Sequence, residues 1–449
     1  MKRLLLPLIF ALLPVASSVA QQRIAIVNVT VIDGTDRPPR PNTTVLVQDD
    51  KIRAITNAGA NLRADATTID GTGKFLIPGL WNNDLHSVSY DDARQHLGDL
   101  LLNGVTTVRD MGSPLGDVIR LRSEIASGAL TGPRLFVAGP LMEGPVPVKM
   151  PLIVDLFTKE QARAEVRNLK EHGVDYIEVD TSLNPGLYWA LADAARRAAL
   201  PLVGHIPVTV PAWNVVKARQ VDIEHLGGRY LNVLIACSKD EPYFDSVMEK
   251  TYNKLLAALQ ANKQAEEPQF KADFDEKLLS SFDESKAERL YRLYARNGIS
   301  QTPTLFVLKT LWETNKEAQK LDDRDMEAGE KIFAKDLAVV GAMRHAGVLI
   351  LAGTDGPYSQ GGDALHGELE LLVRAGLTPL QALQSATRDA AKAMGVSGKV
   401  GTIEVGKTAD LVLLDANPLT NIANTRRIEA VFLHGRLLPK KAPADQSHL

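Results

Sequence analysis

The sequence has a single cysteine, Cys237, so no disulfide can form within the chain and stability must come from its core and any bound ligand. It has almost no charge excess. Its 51 basic and 54 acidic residues are spread along the chain and leave a net charge of -3, which offers no polyanion-binding surface and argues against nucleic acid as a partner. The apolar run at residues 4–15 is about 12 residues long, short of the roughly 20 that a membrane-spanning helix needs. No glycine-rich phosphate loop accompanies the strand-like runs, and no nucleobase-reading signature favours deamination.

That short apolar run follows Lys2 and Arg3 and leads through small residues to Ser18-Val19-Ala20 before Gln21. The pattern predicts an export signal over 1–20, a periplasmic or secreted mature protein, and no stable membrane insertion once the signal is removed. An uncleaved anchor is the alternative. Cys237 reads as a buried small apolar residue.

With 449 residues, the chain suits one large barrel with an accessory domain, or two to three compact domains. Short β-branched runs at 24–27, 44–47, 51–55 and 73–76 predict antiparallel β structure over 21–77. From Pro78 the pattern changes, and apolar runs alternate with helical stretches, which predicts an α/β region with a parallel sheet over 78–395. The runs lie at 80–86, 105–110, 134–138, 174–179, 202–205, 221–225, 302–307 and 348–355. Eight is the number that a closed (β/α)8 TIM-like barrel requires, with an open doubly wound sheet as the alternative. Helical spacing of Ala162, Val166 and Leu169 marks one covering helix.

Between the sixth and seventh runs, residues 238–298 form a charged insertion of helical pattern, with Phe270, Phe274, Leu278 and Phe282 on one face. It reads as a lid over the barrel mouth or as a surface hairpin, and the proline-rich loop 139–157 is a second candidate wall. Over 396–440 the pattern returns to β at 401–403, 409–415 and 430–435, completing a small β domain begun at the other end of the chain. Residues 441–449 read as a loose tail.

Polar residues cluster at the C-terminal ends of the predicted barrel strands, where barrel enzymes place their active sites. Asp84 and His86 end the first strand, Glu178 the fourth, His205 the fifth, His225 the sixth and Asp355 the eighth. Residues two apart in a strand share a side, so Asp84 and His86 can both face the barrel axis. Alone, each is weak, since a strand-end histidine is commonly a hydrogen-bonded interior residue and an aspartate a helix cap. Together, so many buried ionisable groups call for a cation, zinc first among divalent metals. His366, in a glycine-rich stretch beyond Asp355, is a substrate-binding candidate, while His96, His172, His345 and His434 read as structural or exposed.

Ile77-Pro78-Gly79-Leu80 leading to Asp84-Leu85-His86, then Glu224-His225, Gly353-Thr354-Asp355 and the stretch from Gly401-Thr402-Ile403 to Ala409-Asp410-Leu411-Val412, resemble the amidohydrolase superfamily. Within it the resemblance is to the imidazolonepropionase-like branch that includes Xaa-Pro and related metal dipeptidases. It implies a β/α barrel with a small composite β-sandwich from both chain ends, and one or two divalent metals. Two positions depart from the usual pattern: Asp84 stands where the first histidine of His-x-His is expected, and Glu178 where a carbamylated lysine is expected. Both are carboxylates, which could favour manganese as well as zinc.

Carried onto this chain, the resemblance assigns Asp84, His86 and Asp355 to one metal, His205 and His225 to another, and Glu178 to a bridge. The expected chemistry is attack of metal-activated hydroxide on a carbonyl, with Asp355 handling the proton. Tyr230 is the expected carbonyl-polarising donor and Arg229 a clamp for a substrate carboxylate. The function so predicted is cleavage of an amide in a small peptide or N-acyl amino acid. A cyclic amide, lactone or phosphoester is the alternative substrate, and a periplasmic binding protein with a degenerate metal site is the non-enzymatic alternative. Homo-oligomerisation stays open.

Overall fold

The computed structural model describes residues 23–57, 66–87, 89–145, 150–228, 231–261, 272–314 and 321–439. The predicted signal and the loose tail lie outside these residues. Among the described residues, no helix is long and apolar enough to cross a membrane.

Both chain ends build one eight-stranded sheet. Arg23–Val31, Arg40–Gln48 and Lys51–Asn57 form an antiparallel meander. Phe75–Pro78 runs parallel to Arg23–Val31 and antiparallel to Leu411–Leu414, which pairs in turn with Ile428–Leu433. Alternation explains why these short strands are apolar throughout. Leu411 and Leu413 face a small core with Ile26, Val45, Leu76 and Phe432, while Val412 and Leu414 face the large core with Ile77. The expected strand at 401–403 does not form; Ile403 is buried in the small core, and its N–H reaches Asp33 O at 3.0 Å.

The parallel strands follow in arcs. Leu80–His86, Val105–Asp110 and Arg134–Val137 pair in order, Ile177–Val179 pairs with Leu202–Gly204, and Asp222–Glu224 pairs with Ser300–Thr302. Single links continue from arc to arc: Asp175 N to Val137 O at 2.8 Å, Val221 N to Leu202 O at 2.8 Å, and Asn83 N to Ala352 O at 3.0 Å. A parallel bridge joins Gln301 to Ile350.

The seventh strand differs from the expected 302–307. It ends at Thr302, and helix Leu305–Thr314 starts three residues later. Pro303 cannot donate to a ladder and Thr304 turns left-handed, at φ 48°, so the β-branched run breaks there. The insertion is helical as its pattern predicts, with helices Glu241–Gln260, Ala272–Ser280 and Glu284–Asn297. Phe274 meets Phe244 edge-on at 5.0 Å, while Phe270 lies outside the described residues. Cys237 is buried where the first of these helices is entered.

Candidate metal centre

Asp84 and His86, two apart on the first barrel strand, point the same way; the eighth strand expected at 348–355 forms only a bridge at Ile350, and the irregular segment after it delivers Asp355, just before the short strand Gly356–Pro357. Gly353 makes that approach feasible, because a Cβ there would sit 2.7 Å from Asp84 Cβ and 2.6 Å from Thr302 Cγ2. His86 Nε2 lies 3.1 Å from Asp355 Oδ1 and 3.4 Å from Asp84 Oδ1. His225 Nε2 lies 3.5 Å from Asp355 Oδ2 and 3.9 Å from Asp84 Oδ2. Each of these aspartates therefore turns one oxygen to His86 and the other to His225.

The donors fall into two triads, Asp84 with His86 and Asp355, and His205 with Glu224 and His225, each with its ligand atoms within 4.8 Å of one another. The rings of His205 and His225 are 4.8 Å apart, centroid to centroid. Both have their Nδ1 engaged. His205 Nδ1 lies 2.7 Å from Asp180 Oδ1, close but off the line of an ideal hydrogen bond, and His225 Nδ1 is hydrogen-bonded to Thr304 Oγ1. In each ring Nε2 is left for a ligand.

Sequence reasoning missed Glu224. Its signal was period-two alternation: Asp222, two residues earlier, bonds Arg109 Nη1 at 3.0 Å, and Glu224 shares its side of the strand one step nearer the C-terminal end. Tyr176, which lies against the Arg109 guanidinium just before strand Ile177–Val179, and Glu178 within it are likewise two apart. Glu178 is fully buried but belongs to neither triad, and the carboxylates that reach both triads are Asp84 and Asp355.

The electrostatics suit a bound cation. Asp84, Glu178 and Glu224 are wholly inaccessible, and among the described residues neither oxygen of any of them has a hydrogen-bond partner. Burial, offset only in part by His86 and reinforced by Asp84, holds Glu178 well above the usual carboxylate range. Burial and the charges of Asp84 and Glu178 do the same to Glu224. Asp355 goes the other way: burial raises it, but the neighbouring His225 and His86 hold it well below that range. Burial works against protonation of His86, yet the carboxylates of Asp355 and Asp84 beside it keep it well above an ordinary imidazole. A divalent ion among these groups would relieve the like-charge repulsion at its source, and the mixed imidazole and carboxylate set suits zinc or manganese.

Strained backbone collects at the same place. His225, Leu226, Thr304 and Asp355 all have positive φ, between 45° and 54°. Each such residue costs about 1–3 kcal/mol unless its surroundings impose it, and such residues gather at functional sites.

His366 is not brought to this site. It lies within helix Asp363–Arg374, fully buried, with Nδ1 bonded to Thr425 Oγ1 at 2.9 Å, and burial lowers its pKa to about 4. The glycines before it suggested a loop, but they end at the start of the helix. Arg229 and Tyr230 lie outside the described residues.

Residues 234–438 match the amidohydrolase family. The imidazolonepropionase of Maricaulis maris is 40% identical over 103 residues, 22% of this chain and 25% of that one. The ochratoxinase of Aspergillus niger is 24% identical over 462 aligned positions, 93% of this chain and 86% of that one. Its crystal structure has a TM-score of 0.67 over 93% of this chain and 95% of its own, at 18% identity. A Xaa-Pro dipeptidase structure with methionine in its active site has a TM-score of 0.68 at 20% identity, over 93% of this chain and 100% of that one. The chain spans less than half the length of the first curated relatives it matches. The fold is a TIM-like barrel with an extra domain. Over residues 234–438 the chain carries the amidohydrolase family's pattern, with a local likeness to imidazolonepropionases, and in fold it is similar to a Xaa-Pro dipeptidase.

Proposed function

We propose that this protein is a metal-dependent hydrolase that cleaves the amide bond of a small peptide or N-acyl amino acid. The observation that carries the reading is the pair of donor triads coupled through the two oxygens of Asp355. Asp84, His86 and Asp355 would hold one cation, and His205, His225 and the carboxylate of Glu224 a second, with Glu178 in reserve as a bridge. A divalent cation there supplies Lewis acidity towards a carbonyl and acidifies a water.

The chain's own contribution centres on Asp355. Its side chain is 30% exposed while that of Asp84 is 0%, so Asp355 is the aspartate that an incoming substrate can reach. Held ionised by His86 and His225, Asp355 can accept a proton at its carboxylate and return it to a leaving amine nitrogen. Asp84, Glu178 and Glu224 stay out of solvent and serve to hold charge in place. On sequence grounds Tyr230 polarises the scissile carbonyl and Arg229 clamps a substrate carboxylate. The resemblance to a composite domain, and the single links between the strand arcs, support a closed (β/α)8 barrel with a β-sandwich made from both chain ends. The pattern over 1–20 supports export to the periplasm or beyond, and N-terminal sequencing of the exported protein should begin at Gln21.

The test is metal analysis of the purified protein, followed by turnover assays on dipeptides, Xaa-Pro peptides and N-acyl amino acids. Stoichiometric zinc or manganese with amide turnover supports the proposal. Metal-loaded protein that turns over only lactones or phosphoesters overturns the amide assignment, and metal-free protein that binds a ligand tightly overturns the enzyme.

A further inference from the structure

Thr304 has no role in the chemistry above, yet it is the buried partner of His225. It is wholly inaccessible and lies in the two-residue link between strand Ser300–Thr302 and helix Leu305–Thr314. Its φ of 48° is rare for a β-branched residue. The turn is locked from outside: Glu368, buried on helix Asp363–Arg374, accepts a hydrogen bond from Phe306 N at 2.7 Å, and Gly367 leaves room for the Phe306 ring, 2.6 Å from where a Cβ would stand. The neighbourhood thus holds Thr304 in a conformation it would not choose.

What the conformation achieves follows from counting protons. A threonine hydroxyl has one hydrogen to donate and lone pairs to accept. Thr304 Oγ1 lies 2.8 Å from the carbonyl oxygen of Pro303, and two oxygens that close need a hydrogen between them, so the hydroxyl donates there. Towards His225 Nδ1, its other partner, Oγ1 can then only accept. The hydrogen of that second bond belongs to the ring, which places a proton on Nδ1. In the neutral ring, Nε2 then carries the lone pair, directed towards Asp355 Oδ2 at 3.5 Å and Asp84 Oδ2 at 3.9 Å. A lone pair facing two carboxylates is a favourable arrangement only with a cation between them.

We propose that Thr304 is a positioning residue that fixes the Nδ1–H tautomer of His225 and so presents Nε2 to a divalent cation, the left-handed turn being what brings its hydroxyl into reach. The proposal rests on the metal-binding part of the proposed function and is independent of which bond the protein cleaves. It also predicts unequal anchoring of the two neighbouring histidines, a neutral hydroxyl behind His225 and the Asp180 carboxylate behind His205.

The experiment uses Thr304→Val, which keeps the branched shape and removes both hydroxyl bonds, beside Thr304→Ser, which restores the hydroxyl. Zinc and manganese affinity is read by chelator competition and stoichiometry, with thermal midpoints of the metal-free proteins as the control for folding. Thr304→Val should lose about 10–100-fold in affinity for one ion while Thr304→Ser stays within about threefold of the unmodified protein, the range expected when a histidine loses its orienting partner. Valine with unchanged affinity, or serine as weak as valine, overturns the proposal even if amide turnover is confirmed. A second measurement avoids mutation of Thr304: in 15N-histidine-labelled, metal-free protein, the ring assigned to His225 by its loss in His225→Gln should be protonated at Nδ1. A neutral ring protonated at Nε2 overturns the proposal.

Discussion

Asp275 and Asp336, in the helices Ala272–Ser280 and Asp323–His345, are nearly as deeply buried as Asp84, Glu178 and Glu224 at the barrel mouth. Burial, and then the charge of Asp325, pushes Asp275 up to about 7; burial, and then Asp275, pushes Asp336 up to about 8. Among the described residues no metal-capable triad includes either of them. The two regions answer the same problem, negative charge out of water, in different ways. Beside the helical insertion, where no imidazole is at hand, burial and like charge favour the protonated form of the acids. At the mouth three imidazoles stand among the acids, the backbone is strained, and Asp355 is held ionised. A buried acid is therefore poor evidence of a metal centre by itself, and the imidazoles and the strained turns are what separate the two cases.

Four measurements would sharpen that contrast or break it. The largest effect is expected for Asp355→Asn, which should lower turnover by about 10²–10⁴-fold, the usual contribution of a placed proton acceptor. Full activity in that variant would remove Asp355 from the chemistry. Next, Glu224→Gln should weaken the binding of one metal ion by about 10–100-fold, and by more than Glu178→Gln does, because only Glu224 belongs to a triad. The reverse order would restore Glu178 as the main carboxylate. Third, zinc or manganese at a hundredfold excess over its Kd should stabilise the protein by about 2.7 kcal/mol, and chelation should reverse the gain. Glu224→Gln should blunt that response, whereas Asp336→Asn should leave it intact.

The smallest effect concerns pH. Asp336 titrates near 8 in the folded chain and near 3.8 when unfolded, so the folded state binds the proton more tightly. Its contribution to stability is complete below about pH 4 and is lost as the pH rises towards 8. Asp336→Asn should match the unmodified protein in thermal midpoint near pH 4 and exceed it by about 2 °C or more at pH 8. Parallel pH profiles for the two proteins would show that Asp336 is not buried as an acid.

Much of the barrel could be read from the chain because strand-like runs are separated by helices of clear period, although several of the strands, such as Asp222–Glu224 and Ser300–Thr302, are only three residues long. The first and second strands lie at their expected bounds, Leu80–His86 and Val105–Asp110. The seventh does not, because Thr304 and Val307 carry strand-like side chains while a proline and a left-handed turn, set by packing from helix Asp363–Arg374, govern the backbone. His86, His205, His225 and Asp355 were visible through their places at strand ends. Glu224 was overlooked beside a histidine that drew the attention, although alternation from Asp222 places it on the interior side. Thr304 and Asp180 could not have been found this way, since each acts through a contact with a residue distant in sequence or on a neighbouring strand. His366 shows the opposite error, a glycine-rich approach taken for a loop when a helix begins there.

The sheet shared by the two chain ends has a consequence for biosynthesis. Strand Phe75–Pro78 can gain its partner Leu411–Leu414 only after more than three hundred further residues have been made, and Leu80–His86, with Asp84 and His86, follows it directly. Until then a growing chain carries an unpaired edge beside two of the three residues of one metal triad, the kind of exposed edge that invites association between chains. A product truncated before Leu411 would keep every proposed metal ligand in its sequence and still lack the strand that seals Leu76 and Ile77. The last strands thus cover apolar surface that a truncated chain would leave bare.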